Sequence, residues 1–293
     1  MRSGFVSIVG RPNTGKSTLI NAIVNEHIAI VSDVAGTTRN TIQGVYHGDD
    51  FQIVFVDTPG IAKASDKLGR RLNEESYSSL DDIDCILFVV DAAGGLGRGD
   101  KYIIDALKRT TVPVILVLNK IDRLSKDGIL KAINMYKDLY DFAEIIPISA
   151  MKEHNIDTLI DITKNYLKDN VKYYEDEVIT NTNPEFMITE LVREKILNLT
   201  NDEVPHSITC VLQNYNEKSS LIEAQVDIIV SRDSLKKIII GKQGSMLKEI
   251  GTQARRDIEK MYKKPCYLEL YVKTIKNWRN KDSFLIDNLG LGE

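Results

Sequence analysis

A glycine-rich segment near the start of the chain constrains the fold more than any other feature. The sequence Gly10-Arg11-Pro12-Asn13-Thr14-Gly15-Lys16-Ser17 matches the pattern GxxxxGK[ST] at every fixed position. It follows an apolar, β-branched run at residues 5–9 and precedes a helical pattern at residues 16–24. In this strand–loop–helix context, backbone N–H groups surround a phosphate at the positive end of the helix. The segment therefore predicts a phosphate-binding P-loop, and an ordinary glycine turn is the weaker interpretation.

Each residue type in this loop has a chemical task. Gly10 and Gly15 lack a Cβ, so that the backbone can wrap the phosphate closely. Lys16 carries a charge that can reach the β- and γ-phosphates, and the Ser17 hydroxyl can bind Mg²⁺. The predicted phosphate-binding residues are Gly10, Arg11, Pro12, Asn13, Thr14, Gly15, Lys16, Ser17 and Thr18.

The first half of the chain alternates strand-like and helical patterns. Continuous apolar runs at residues 85–90 and 114–118 are typical of strands that helices cover on both faces. The alternation predicts a doubly wound α/β domain with a mostly parallel sheet, whose ligands bind at the carboxyl ends of the strands. These runs are far shorter than the roughly 18 residues that a membrane-spanning helix needs.

A second motif, Asp57-Thr58-Pro59-Gly60, follows the apolar run at residues 51–56. An aspartate at this strand end is where P-loop enzymes place a second carboxylate linked to Mg²⁺. The N–H group of Gly60 can approach the γ-phosphate because no Cβ intervenes. Alone, these four residues would also fit an ordinary turn. Together with the P-loop they predict a magnesium and γ-phosphate site.

A third motif, Asn119-Lys120-Ile121-Asp122, closes the run at residues 114–118. The Asp122 carboxylate can accept hydrogen bonds from N1–H and the 2-amino group of guanine, and adenine does not offer both donors in that arrangement. Asn119 and Lys120 would brace the loop and cover the base. The backbone amides of Ser149-Ala150-Met151 could hold the guanine carbonyl, although this motif alone is a generic turn. The set predicts a site that selects guanine over adenine.

The second half of the chain has a different organisation. Residues 171–184 are polar, acidic and rich in turn formers, which predicts a linker between a domain at 1–170 and a domain at 185–293. Beyond the linker, the order α-β-β-α-α-β predicts a smaller α+β domain. From residue 232 to residue 281 there are 14 Lys and Arg against 5 Asp and Glu, a net +9 in a chain of net −4. This segment predicts contact with a polyanion, and a solvated basic face is the alternative.

The segment Gly241-Lys242-Gln243-Gly244 lies between two helical patterns of this basic region. Such a GxxG loop has no bulky side chains at its ends, so a nucleic-acid backbone can come close to both helix termini. Lys248, Arg255 and Arg256 extend the basic face. With its order of elements the domain resembles a type II KH domain, which implies single-stranded RNA as the ligand. A simple helix–turn–helix junction and a DNA-directed role both stay open, because phosphate contacts alone do not distinguish the sugars.

The four motifs of the first half resemble the translation-factor-like branch of the small GTPases. Within it, Gly36-Thr37-Thr38-Arg39 resembles the switch I signature of the TrmE–Era group. The pairing of this domain with a KH domain makes the whole chain similar to the Era family of bacterial GTPases. The resemblance implies GTP and GDP as ligands, and hydrolysis of GTP to GDP and phosphate as the activity.

The resemblance also implies roles for individual residues. Ser17, Asp57 and Thr38 are the expected ligands of Mg²⁺, and Thr37 stays open as an alternative to Thr38. Lys16, Thr38 and Gly60 are the expected catalytic residues.

The residue after Gly60 is Ile61, where Ras-like enzymes carry a glutamine that orients the attacking water. Because isoleucine has no donor or acceptor, we expect slow intrinsic hydrolysis, assisted by K⁺ or by a partner. In the resembling group, an asparagine at the position of Asn13 helps to hold K⁺. A side chain that caps its own loop is the alternative for Asn13.

The expected partners also follow from the resemblance. They are the 3′ end of 16S ribosomal RNA and the 30S ribosomal subunit, whose assembly and maturation the protein would assist. We also expect a monomer. A reducing cytoplasm is expected because the three cysteines are odd in number and widely separated, with no CxxC spacing. Peripheral association with the inner face of the cell membrane is implied by the family without any motif here. Two other functions stay open: a scaffold with GTP as a structural ligand, and a P-loop kinase, which the guanine motif disfavours.

Overall fold

The computed structural model describes residues 1–32, 34, 37–60, 66–78 and 82–291. Two positions discussed above, Gly36 and Ile61, lie outside the described residues. The chain divides into two compact units, one of residues 1–31, 38–65 and 69–181, the other of residues 32–37, 66–68 and 182–293. The main division, between residues 181 and 182, falls inside the segment predicted as a linker.

A six-stranded sheet forms the centre of the first unit. The strands are β1 (Arg2–Val9), β2 (Ile42–His47), β3 (Phe51–Asp57), β4 (Cys85–Asp91), β5 (Val114–Asn119) and β6 (Glu144–Pro147). Their order is β2-β3-β1-β4-β5-β6, with β2 antiparallel to β3 and every other pair parallel. All side chains of β3 and β5 are buried, so both faces of the sheet are covered. This confirms the mostly parallel α/β domain.

In the described part of this unit, four α-helices connect these strands, and a fifth follows the last strand. They are α1 (Lys16–Val24), α2 (Lys67–Ser78), α3 (Arg98–Leu107), α4 (Lys126–Tyr136) and α5 (Ile156–Thr163). The sequence gives little signal for α2, whose segment KLGRRLNEESYS contains few apolar residues to form a helical stripe. The first two residues of α2, Lys67 and Leu68, group with the second unit.

The segment after α5 runs along the first unit instead of leaving it. Ser3 pairs with Asp169 in an isolated antiparallel bridge, and Gly44 pairs with Thr180 in another. The side chain of Gln52 accepts hydrogen bonds from the backbone N–H groups of residues 173 and 174, at 2.9 and 3.1 Å. The acidic stretch therefore has ordered partners as far as residue 181.

The second unit contains a three-stranded sheet and four helices among its described residues. In chain order the elements are α6 (Pro184–Leu199), β7 (Ile208–Glu217), β8 (Ile222–Val230), α7 (Asp233–Ile240), α8 (Ser245–Tyr262), β9 (Cys266–Thr274) and α9 (Asp282–Leu289). The order α-β-β-α-α-β is thereby confirmed, and α9 follows it. In the sheet order β7-β8-β9, the pair β7–β8 is antiparallel and β8–β9 is parallel. Trp278, fully buried, donates its indole N–H to the carbonyl oxygen of Ser207 at 3.1 Å.

Across the described part of the chain, no helix combines the length and the apolar character that crossing a bilayer requires.

Candidate functional site

The P-loop joins β1 to α1, and its glycines stand where a Cβ would not fit. A Cβ on Gly10 would lie 2.4 Å from the carbonyl oxygen of Val89, and one on Gly15 would lie 2.3 Å from the side-chain amide nitrogen of Asn119. Gly15 has φ 94° and precedes α1 without any side-chain cap. The start of α1 therefore offers backbone N–H groups and the positive end of the helix to an anion in the loop.

The Lys16 side chain is folded into this loop. Its ammonium group donates to the carbonyl oxygen of Gly10 at 3.2 Å and lies 3.5 Å from that of Arg11. Burial lowers the pKa of Lys16, and the negative charge of Asp57 acts in the opposite direction. An anionic phosphate would stabilise this buried ammonium, which is the role that the P-loop lysine has in nucleotide-binding enzymes.

Ser17, Thr38 and Asp57 form a compact cluster of oxygen atoms. The Ser17 hydroxyl oxygen lies 2.8 Å from that of Thr38 and donates to a carboxylate oxygen of Asp57 at 2.9 Å. Thr37, the alternative to Thr38, instead donates its hydroxyl to the carbonyl oxygen of Val34 at 2.6 Å. The structure thus brings Thr38, not Thr37, to the Ser17 hydroxyl.

Asp57 leaves one buried oxygen without a partner. Its Oδ1 atom makes no hydrogen bond within the described residues, although the residue is fully buried. A buried acceptor without a hydrogen bond destabilises the folded state, because it has lost its contacts with water. Burial raises the pKa of Asp57 to about 6, although Lys16 and the Ser17 hydroxyl act to lower it. A hard cation held by hydroxyl and carboxylate oxygens would satisfy the free atom, so Mg²⁺ fits these residues chemically.

Asn119 ties the predicted guanine loop to the P-loop. Its side-chain N–H donates to the carbonyl oxygen of Thr14 at 2.9 Å, and its side-chain oxygen accepts from the backbone N–H groups of Lys120 at 2.8 Å and Ala150 at 3.0 Å. Asn119 is almost fully buried. A single side chain therefore joins three of the predicted motifs.

Asp122 contacts the segment Ser149-Ala150-Met151. The Ser149 hydroxyl donates to its carboxylate at 2.6 Å, and the backbone N–H of Lys152 donates to the same hydroxyl at 3.2 Å. Asp122 is exposed, which leaves carboxylate surface open to a base. Met151, the last predicted residue here, is also exposed.

The other predicted residues lie around the same loop. A Cβ on Gly60 would lie 3.0 Å from the ring of Pro12, so Gly60 lies directly against the P-loop. Asn13 is exposed and has φ 66°, and its carbonyl oxygen accepts from the ammonium group of Lys120 at 2.6 Å. Thr18 is half-buried in the first turn of α1.

Two carboxylates that the motifs do not include also contact this site. Asp91, the last residue of β4, accepts a hydrogen bond from the Lys120 ammonium group at 2.8 Å. Asp100, in the first turn of α3, accepts from the Arg11 side chain at 3.1 Å and is fully buried. The sequence does carry one signal for Asp91, since it ends a buried strand as Asp57 does, and parallel strands bring such positions to one edge.

In the second unit, the GxxG segment joins α7 to α8. Gly241 has φ 73°, and a Cβ there would lie 2.7 Å from the Cβ of Met246. Gly244 has φ 79° and no atom within 4 Å of the position that a Cβ would take. Glycine suits both positions because left-handed backbone is strained for other residues, and at Gly241 there is also no space.

A groove of about 560 Å³ lies beside this loop, between α8 and β9. Its lining residues are Gly244, Leu247, Lys248, Gly251, Thr252, Arg255, Leu268 and Leu270. Three of the predicted RNA-binding residues, Gly244, Lys248 and Arg255, therefore line the groove. Gly241, Lys242 and Gln243 form the adjoining loop, and exposed Arg256 lies on α8 outside the lining set.

Models of two known families match the two parts of the chain. A model described as a 50S ribosome-binding GTPase matches residues 5–120, and a model described as a KH domain matches residues 203–279. Together with the geometry above, they define the class of protein: a P-loop GTPase joined to a KH domain.

Two solved structures are similar over almost the whole chain. One is Era from Aquifex aeolicus, a tyrosine-to-alanine variant bound to GDP·AlF₄⁻, with 39% identity and a TM-score of 0.93 over 97% of this chain and 98% of that one. The other is Era with MgGDPNP and nucleotides 1506–1542 of 16S ribosomal RNA, with 39% identity and a TM-score of 0.94 over 97% of each chain. The chain belongs to the Era family, and it is accordingly a GTPase.

Proposed function

We propose that this chain is a GTP-hydrolysing switch that binds the 3′ end of 16S ribosomal RNA and assists assembly and maturation of the 30S subunit. One observation carries the proposal. A single chain contains both the Ser17–Thr38–Asp57 oxygen cluster at a P-loop and a groove, lined by leucines and basic residues, that a GxxG segment borders. The 16S rRNA segment in the related Era complex supports the choice of RNA.

In the proposed nucleotide site, the P-loop N–H groups and Lys16 bind the phosphates of GTP. Ser17, Asp57 and Thr38 would hold Mg²⁺, which neutralises charge on the phosphate oxygens when it is bound. Ser17 lies at the start of α1 and Asp57 at the end of β3, so two regular elements fix these ligands. Thr38 lies in neither a helix nor a strand, so its position can depend on the γ-phosphate. That dependence would make the segment around Thr38 a switch.

Hydrolysis would proceed by attack of water on the γ-phosphorus, in line with the departing GDP. The catalytic contribution of the protein is electrostatic: Lys16 and the Gly60 N–H stabilise charge that develops on the phosphoryl oxygens. Asn13 is the residue that would help to hold K⁺, which could add positive charge. The apolar side chain of Ile61 cannot orient water, so we expect slow turnover without K⁺ or a partner.

Selection of guanine would depend on Asp122. Its carboxylate is oriented by the Ser149 hydroxyl and can accept the N1–H and 2-amino donors together. An adenine base would leave these acceptors unpaired, and a site built around such hydrogen bonds can reject an analogue by about 10⁴-fold or more.

In the KH domain, which we assign to residues 185–293, RNA would lie in the groove between α8 and β9. Leu247, Leu268 and Leu270 supply apolar surface for unstacked bases, and Lys248 and Arg255 supply charge for phosphates. The GxxG segment lets the RNA backbone approach the start of α8. Such a groove favours single strands because paired bases are not free to enter it.

Further aspects are proposed on the family likeness alone. We propose a monomeric, cytoplasmic protein whose partner is the 30S subunit, and which contacts the inner face of the cell membrane peripherally. Sedimentation with purified 30S subunits and, separately, with lipid vesicles tests the two partners. Absence of the protein from either pellet would refute the corresponding partner.

Single-turnover hydrolysis tests the main proposal and separates it from a scaffold that binds GTP only structurally. We expect release of phosphate from bound GTP in the presence of Mg²⁺, with a faster rate in KCl than in NaCl. A complex that binds GTP tightly and releases no phosphate in either salt, or with 16S RNA added, would favour the scaffold.

A further inference from the structure

The Asp91 carboxylate at the end of β4 uses both of its oxygens. Oδ2 accepts a hydrogen bond from the Lys120 ammonium group at 2.8 Å. Oδ1 accepts from the backbone N–H groups of Ala93 at 3.1 Å and Gly94 at 2.9 Å. Burial acts to raise the pKa of Asp91, but the hydrogen bonds from Lys120 and Gly94 outweigh it and hold the pKa below its ordinary value. The side chain is therefore a carboxylate at neutral pH, fixed at both oxygens.

Lys120 connects this carboxylate to the P-loop. Its ammonium group donates to Asp91 and also to the carbonyl oxygen of Asn13 at 2.6 Å. Both side chains of the ion pair are largely buried, with 21% of Lys120 and 15% of Asp91 exposed. Lys120 also has φ 67°, so its side chain leaves the backbone in a direction that an extended residue would not give. Asp91 is thus one of two acceptors that hold the Lys120 ammonium group.

A glycine-rich stretch after Asp91 contacts the Arg11 side chain of the P-loop. Positions that a Cβ would take on Gly94 and Gly99 lie 3.3 Å from atoms of the Arg11 side chain. Arg11 is paired with Asp100, which also accepts from the N–H of Gly97 at 2.8 Å. The segment from Asp91 to Asp100 therefore anchors two basic residues around the P-loop, one at each end of the segment.

We propose that Asp91 is a positioning residue of the guanine-nucleotide site, acting through Lys120. It keeps the lysine stem over the base and ties the guanine loop to the P-loop before nucleotide binds. The inference rests on the proposed guanine site and names a residue outside its motifs. The Lys120 contact is with the base side of the site, away from the γ-phosphate. Asp91 therefore supports ground-state and transition-state binding equally.

The variant Asp91→Asn removes the charge and keeps the size of the side chain. We expect the Kd of both GDP and GTP to rise about tenfold, because an uncharged amide oxygen holds the ammonium group more weakly than a carboxylate does. In steady state, KM for GTP should rise by a similar factor while kcat stays within about twofold. The matched control is Asp105→Asn, since Asp105 forms an exposed ion pair with Lys108 at 2.8 Å on nearby α3. This control should leave Kd unchanged.

A double-mutant cycle with Lys120→Ala shows whether Asp91 acts through the lysine. In the Lys120→Ala background, Asp91→Asn should change the Kd of GDP by less than about twofold. A tenfold loss in both backgrounds would overturn the inference, because Asp91 would then act through its loop N–H partners. An unchanged Kd for Asp91→Asn in the parent would also overturn it. A parent that binds no guanine nucleotide would overturn the proposed function itself, which distinguishes the two failures.

Discussion

The P-loop site and the groove between α8 and β9, which is the proposed RNA site, place their charged side chains in opposite environments. In the nucleotide site, Lys16 is 6% exposed and Asp57 is fully buried, and each is held by hydrogen bonds to the surrounding chain. In the groove, Lys248 and Arg255 are exposed, and Arg255 forms a long ion pair, 4.0 Å, with Glu259.

The difference indicates how each site recognises its ligand. Buried charges that are fixed before binding give large, local and specific energies, because few waters screen them and little reorganisation is needed. Exposed charges contribute small, salt-dependent and roughly additive energies, which suit a polyanion whose sequence is read elsewhere. Single substitutions should therefore have large effects in the first site and small ones in the second.

Replacing Lys16 with alanine should have the largest effect. Because a buried charge-assisted contact with the phosphates contributes about 1.5–3 kcal/mol per hydrogen bond and Lys16 can make more than one, we expect GTP affinity to fall at least about 100-fold. Titration with a fluorescent GTP analogue measures the loss, and Asp122→Asn should likewise abolish tight binding. Lys126→Ala, which changes an exposed lysine at the start of α4, is the control. An unchanged affinity for Lys16→Ala would refute the P-loop assignment.

The buried carboxylate of Asp57 should make the stability of the Mg²⁺-free and nucleotide-free protein depend on pH. Its folded-state pKa of about 6 is above the ordinary value of 3.8, so its contribution is fully present below about pH 4 and is lost as pH rises through 6. Each pKa unit corresponds to about 1.4 kcal/mol, so the loss is on the order of 3 kcal/mol.

Urea unfolding of the parent and of Asp57→Asn between pH 4.5 and 7.5 checks this expectation. The unfolding free energy of the parent, relative to that of Asp57→Asn, should decrease as pH rises. A difference that does not vary with pH would show that the Asp57 pKa is unchanged by folding.

Gly241→Asp should weaken RNA binding about tenfold and leave GTP hydrolysis nearly unchanged. The new side chain would collide with Met246 in a left-handed backbone and add a negative charge beside the RNA backbone. Gly290→Asp is a matched control, because Gly290 is also left-handed, with φ 63°, but ends α9 and has open space around it. Equal RNA affinity for the parent and Gly241→Asp would argue against the groove as the RNA site.

The smallest effect should come from Arg255→Ala. Loss of one phosphate contact should weaken RNA binding a few-fold and reduce the dependence of log affinity on log salt concentration by about 0.7, the value per contact for single strands. Arg256→Ala changes the adjacent arginine, which does not line the groove, and should alter the salt dependence less. An equal decrease in salt dependence for both variants would show that RNA binding does not depend on which of the two arginines carries the charge.

The sequence predicts where its motif residues lie in the fold because the motifs combine fixed spacing with a fixed place at strand ends. Asp57 and Asn119 each end a buried strand, and the parallel order of β3, β1, β4 and β5 brings those ends to one edge. The sequence does not indicate which of Thr37 and Thr38 contacts the Ser17 hydroxyl, since neighbouring threonines differ in direction and not in chemistry.

Other features depend on contacts between residues that are distant in the chain, and no motif specifies those contacts. Arg11 meets Asp100 across 89 positions of the chain, and Lys120 meets Asp91 across 29. Helix α2 is mostly polar, so few apolar residues mark its segment as a buried helix. The association of residues 169 and 180 with the first unit depends on backbone pairing with Ser3 and Gly44, which composition does not indicate.

Competition between guanine and adenine nucleotides tests the central claim most directly. The parent protein, in Mg²⁺ and KCl, should bind GDP at least about 10⁴-fold more tightly than ADP, because only guanine satisfies the Asp122 carboxylate. Comparable dissociation constants for GDP and ADP would contradict a guanine-specific switch.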